Sequence, residues 1–209
     1  MSKGQFISFE GLDGAGKTTQ LALLQRWLEQ QRISYVLTRE PGGTPLGSEL
    51  RHLLFGRSDL AISPLAEAFL FQADRAQHFA DVIVPAIEAG KLVISDRCYD
   101  SSIAYQGAAQ GVGIELVEQL SLIATAGRSP DLTILLDLAP SQVHVRTHDE
   151  TRGEHSRFDA ESLSFHQRLR EAFLALAQNH PERIKVIDAT QTPEQIHHQI
   201  IALIQALRA

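Results

Sequence analysis

The chain has 209 residues, 44% of them apolar and 21% charged, with a formal net charge of −6. That size and apolar content fit one α/β domain spanning 1–209 with a well-buried sheet. The negative balance argues against a broad surface for polymeric nucleic acid or anionic membrane, since either needs a surplus of Lys and Arg on one face. A single cysteine, Cys98, excludes an internal disulfide framework and a thiolate zinc site, and accords with a reduced cytoplasm. No apolar run approaches the roughly 18 residues that cross a bilayer, and the opening MSKGQFISFEGLDG lacks the apolar centre of a signal peptide.

The first expected strand is Phe6 to Phe9. Directly behind it, Gly11-Leu12-Asp13-Gly14-Ala15-Gly16-Lys17-Thr18 matches GxxxxGK[ST], and beyond Thr19 the spacing of Leu21, Leu24 and Leu28, with Trp27 alongside, is helical. In such a loop the glycines let the backbone wrap phosphates with its N–H groups, and the helix N-terminus adds positive potential. Lys17 reaches the terminal phosphates of ATP, and the Thr18 hydroxyl can ligate magnesium. The motif alone leaves the class open. No NKxD run for reading guanine and no LSGGQ run is present, so a kinase for a small acceptor remains. An acceptor that already carries a phosphate demands a second, arginine-built anion site facing the first.

A second strand, Tyr35 to Thr38, leads into Arg39-Glu40-Pro41-Gly42-Gly43-Thr44, and a long helical stretch runs from Ser63 to about Ala89. The third strand, Leu92 to Ser95, ends on Asp96-Arg97. Arg39 and Arg97 therefore both follow strand ends, where α/β sheets bind ligands. Asp96 can cap the next helix or hold magnesium through water, and the metal role is favoured because the phosphate chemistry needs such a carboxylate. The fourth and fifth strands are Leu132 to Asp137 and Ile184 to Asp188, separated by a polar segment, Thr147 to Arg157, with the character of a short lid. Strands alternating with helices predict a five-stranded parallel P-loop sheet covered on both faces. The pairs His144/His148 and His197/His198 lack a third ligand for zinc and read as solvated.

The run Ile94-Ser95-Asp96-Arg97-Cys98-Tyr99-Asp100-Ser101-Ser102-Ile103-Ala104-Tyr105-Gln106 resembles the signature of thymidylate kinases. With GLDGAGKTT, REPGGT, the FQADR segment at Phe71 to Arg75 and the RGE of the lid, the resemblance covers most of the chain in the same order. It implies transfer of the γ-phosphoryl group of ATP to dTMP, magnesium as the only cofactor, and a homodimer packed through helices. By the same resemblance Phe71 stacks on thymine, and Arg75 contacts the base and reaches toward the acceptor phosphate. Arg39 and Arg97 hold that phosphate, and Asp13 meets the sugar 3′-hydroxyl. Tyr105 lies against the deoxyribose, and Ser101, Ser102 and Gln106 line the base pocket with it. Cys98 stands where a tyrosine is commoner and Ser102 where some relatives carry Asn; Cys98 is expected to be a packed thiol. Since Leu12, Asp13, Gly14 and Ala15 bring no positive charge to the phosphate loop, the catalytic arginine is expected from the lid, at Arg152, with Arg146 and Arg157 flanking it. Two alternatives are weaker. A deoxynucleoside kinase would need a general base and not two acceptor-phosphate arginines, and a nucleotide-binding regulator would show no acceptor-dependent turnover.

Overall fold

Five short strands carry the molecule: β1 (Gln5–Glu10), β2 (Tyr35–Arg39), β3 (Leu92–Asp96), β4 (Leu132–Asp137) and β5 (Ile184–Asp188). The computed structural model describes residues 4–57, 59–147, 158 and 161–208. All strand pairs are parallel, in the order β2-β3-β1-β4-β5. The three central strands are almost continuously buried, as a sheet covered on both faces requires. The edge strands β2 and β5 are only partly so.

Alternation along β1 divides the core in two, because successive strand side chains point to opposite faces. Ile7 and Phe9 join Ile94 and the helix α1 (Lys17–Gln30) leucines 21, 24 and 28. Phe6 and Val93 instead pack with Phe79, Ile83 and Ile87. These last three belong to the stretch expected to be one helix from Ser63. It is α3 (Pro64–His78), a π-helical turn (Phe79–Ile83) and α4 (Val84–Glu88) in succession. Ser63 caps its start, accepting from the Ala66 N–H, and Pro64 follows at the first helical position.

Helix α2 (Pro45–Phe55) lies against α3, with Thr44 as its N-cap. After β3 the chain forms α5 (Tyr99–Ser102) and runs without a break into a π-helix, Ile103–Ala109, before α6 (Ile114–Ala124). Helix α7 (Pro140–Thr147) leads to the expected lid, of which residues 148–157 lie outside the described residues; α8 (Leu163–Asn179) and α9 (Pro193–Arg208) complete the fold. The loops after β1, β2 and β3 thus converge at the carboxyl edge of three adjacent strands.

Candidate active site

The loop after β1 turns sharply because Gly11 and Gly16 hold positive φ, +130° and +103°, a region that side chains with a Cβ avoid. A Cβ on Gly11 would also strike the Leu136 carbonyl of β4. Gly16 is the N-cap, so Lys17, Thr18 and Thr19 form the first turn of α1, whose N–H groups have no helical acceptor. Lys17 is buried and bends back over the loop, its Nζ donating to the Gly11 and Leu12 carbonyls at 3.1 Å each. Burial, and then the nearby Arg97, lowers its pKa. Asp13 stands 3.6 Å from Lys17 Nζ and receives Arg97 Nη2 at 2.6 Å. Burial opposes its charge, but Arg97 and Lys17 outweigh that and hold the carboxyl well below the usual range.

Beside the loop, a cavity of about 490 Å³ opens over the strand ends. Its wall brings together Asp13, Arg39, Phe71, Arg75, Arg97, Ser101, Ser102, Tyr105 and Gln106, every residue singled out for the acceptor. Arg97 is fixed at φ +72°, with its N–H donating to the Phe9 carbonyl and its own carbonyl accepting from Ser95 Oγ. Strain in that region costs about 1–2 kcal/mol, so those bonds aim the side chain. Its Nη1 donates to Ser101 Oγ at 2.8 Å, and its guanidinium lies 5.2 Å over the Tyr105 ring. Arg75, 1% exposed, donates through Nε to Glu40, through Nη1 to Gln72 and through Nη2 to Ser102. Ser101 and Ser102 end α5 while Tyr105 and Gln106 lie in the π-helix, and all four polar residues reach the cavity.

Asp96 and Thr18 stand outside the cavity lining, at the phosphate-loop side. The Asp96 Oδ1 is buried and has no hydrogen-bond partner among the described residues, while Thr18 is exposed at the head of α1. An orphaned carboxylate oxygen near a phosphate cradle fits a hard, hydrated cation such as magnesium. Arg152 and Arg157 lie outside the described residues, as does His148, and nothing is described of the Arg146 or His144 side chains. Cys98 is fully buried and burial pushes its thiol pKa up, as a packed thiol requires. His197 departs from the solvated reading: it is half-buried, its pKa is lowered by burial and by His198, and its Nδ1 has no partner among the described residues.

Several lining residues carry no motif. Ser48, Arg51, His52 and Phe55 come from α2, and Phe158 packs edge-on against both Phe55 and Tyr105. Arg51 Nη1 donates to the Pro41 carbonyl, which ties α2 to the loop after β2. Glu40 links that loop to α3: its carboxylate accepts from Arg75 Nε at 2.9 Å and lies 3.0 Å from His78 Nδ1. Burial would raise the Glu40 pKa, but Arg75 and His78 overcome it and keep it low. Glu40 lies inside REPGGT, where an acid beside Arg39 was the available signal.

The thymidylate kinase family model matches residues 9–200. A thymidylate kinase of Clavibacter sepedonicus is 47% identical over 206 residues, covering 99% of this chain and 97% of the relative. One of Symbiobacterium thermophilum is 44% identical over 200 residues, covering 96% and 92%. Among solved structures, a thymidylate kinase from Ehrlichia chaffeensis superimposes with a TM-score of 0.80 at 34% identity, over 98% of this chain and all of that one.

Proposed function

The chain belongs to the thymidylate kinase family, and on that premise we propose how its residues transfer the γ-phosphoryl group of ATP to dTMP, giving ADP and dTDP. The observation that carries the reading is the convergence of Arg39, Arg97 and Arg75 on one cavity beside the phosphate loop. An acceptor monophosphate brings about two negative charges close to a triphosphate, and only a cluster of guanidinium groups offsets that repulsion with directed donors. Gly11 to Thr19 cradle the donor phosphates, and Lys17, released from the Gly11 and Leu12 carbonyls, follows the transferred group. Arg39 and Arg97 hold the acceptor phosphate in line with it. Phe71 offers its ring to the base, Tyr105 closes the sugar side, and Asp13 orients Arg97 and the sugar hydroxyl.

Thr18 and Asp96 would hold magnesium, which when bound offsets phosphate charge. Positioning and charge stabilisation account for catalysis without a covalent intermediate. The remaining positive charge is assigned to Arg152 in the lid, because the variable positions of the phosphate loop carry none. We assign the enzyme to the cytoplasm, as its lone thiol fits a reducing compartment. It works as a homodimer, a reading supported by Leu65 and Phe69 of α3 and Leu122 and Ile123 of α6, large apolar side chains left exposed on two packed helices.

ADP release, followed by a coupled assay with ATP and magnesium, is expected to depend on added dTMP. Equal release without it would reduce the protein to a nucleotide hydrolase.

A further inference from the structure

We propose that Glu67, which lies outside the cavity, determines which base the enzyme accepts by fixing the amide of Gln106. The inference rests on reading the cavity as the acceptor pocket. Glu67 is fully buried on α3, 39 positions from Gln106, and its Oε1 accepts from Gln106 Nε2 at 2.7 Å and from Gln110 Nε2 at 3.0 Å. A primary amide can turn either its NH₂ or its carbonyl toward a ligand. The two ends are nearly the same shape and read opposite edges. A carboxylate oxygen only accepts. Glu67 therefore draws the Gln106 nitrogen away and leaves the amide oxygen to the cavity that Gln106 lines.

The neighbouring group is fixed with the opposite polarity. Of the five N–H bonds of Arg75, one is held by Glu40, one by Gln72 and one by Ser102, and the guanidinium has nothing but donors left to offer the cavity. This wall thus presents an acceptor beside donors. Its complement is a ring N–H adjoining a carbonyl, the edge of a 4-oxopyrimidine such as thymine or uracil. A 4-aminopyrimidine such as cytosine reverses both positions and would leave buried polar groups unpaired, a mismatch that binding sites reject strongly. One carboxylate on each side of the pocket, Glu40 behind Arg75 and Glu67 behind Gln106, writes this polarity.

The test compares kcat/KM for dTMP and dCMP in the unmodified enzyme, Glu67→Gln and Gln110→Ala. Glu67→Gln lets the Gln106 amide turn over. The dTMP:dCMP preference is expected to fall by about tenfold or more, mainly through a higher KM for dTMP, with kcat largely retained. Gln110→Ala keeps the Glu67–Gln106 bond and should keep the preference. If Glu67→Gln does not fold, Glu67→Asp draws the carboxylate back by one methylene and should move the preference in the same direction. An unchanged preference in the folded Glu67 variant, or an equal fall in Gln110→Ala, would overturn the proposal. Absence of dTMP turnover in the unmodified enzyme would overturn the reading of the cavity instead.

Discussion

Glu10 and Asp13 stand three positions apart, yet their surroundings drive their ionisation in opposite directions. Asp13 meets Arg97 and Lys17 and is held charged. Glu10 is fully buried at the end of β1, accepts from the Cys98 N–H at 2.8 Å and from Ser101 Oγ at 2.5 Å, and its pKa is pushed up to about 8 by burial and then by Asp100. An acid whose pKa rises on folding binds its proton more tightly in the native state. Its contribution to stability is therefore full below about pH 4.5, declines as the pH climbs, and is gone above about pH 8. Each such group adds a slope of at most about 1.4 kcal/mol per pH unit. Glu10→Gln, which keeps the shape and the bond from Cys98, should flatten the fall in urea-unfolding free energy between pH 5 and pH 8; an identical slope in both proteins would show that Glu10 is ionised in the native state. Asp74, pushed up to about 6 by burial and by Glu40, retains its own share of the slope. Lys17 and Arg97 were legible in the sequence because their neighbours in the motif define their chemistry. Glu10 and Glu67 were not, because the groups that give them meaning lie 88 to 91 and 39 to 43 positions away.

At the level of elements, the loop after β2 shows how tightly the acceptor side is built. Thr38 Oγ1 meets His78 Nε2 at 2.7 Å, the Gly42 N–H donates to Asp74 at 3.1 Å, and Glu40 reaches Arg75, so one face of α3 holds the whole turn. A Cβ on Gly43 would sit 2.5 Å from His78 Nε2 and 2.7 Å from Thr38 Oγ1. Gly43→Ala should therefore cost about 1–3 kcal/mol and displace Arg39, raising the KM for dTMP more than it lowers kcat. Urea unfolding together with steady-state kinetics reads both effects, and wild-type values for the two would show that the loop is not clamped to α3. The central strands and the long α3 region were visible from their apolar runs, because each is buried against the core, and the partly buried edge strands β2 and β5 showed through their short apolar and β-branched runs. Helix α2 was not. Only its Gly47 and Leu54 are buried, since much of this helix serves the cavity, and the apolar spacing that would announce it is correspondingly weak. The π-helical segments also escaped, because one extra residue in a turn leaves no mark in composition.

For the whole molecule, alternating strands and helices announced a parallel sheet, but not its order, which depends on the direction of each crossover and on contacts far apart in sequence. Assembly is likewise a property of the complete surface. Phe69 is 52% exposed and Ile123 76%, on helices that pack side by side. A stable pair of copies covers about 800 Å² on each partner, and in the proposed dimer these helices would supply the apolar centre of such a patch. Phe69→Asp should convert a dimer to a monomer in light scattering coupled to gel filtration. A monomeric wild type, or a variant that stays dimeric, would remove α3 and α6 as the contact.

The π-helix between α5 and α6 gives this segment an unusual relation to insertion and deletion. Its wide turns, with the Gln110 N–H reaching back to Tyr105 and that of Val112 to Gln106, hold one residue more than an α-helix of the same rise. Loss of a single residue from Ile103–Ala109 would let the segment close to a regular helix with the residues on either side keeping their places, and only those between the deletion and the end of the wide turn would shift in phase. A loss at Ile103 or Ala104 would leave Ser101 and Ser102 in place and bring Tyr105 and Gln106 one position, about 100°, out of line with them. The phase of this helix, and not only its residue types, is therefore part of what the pocket inherits.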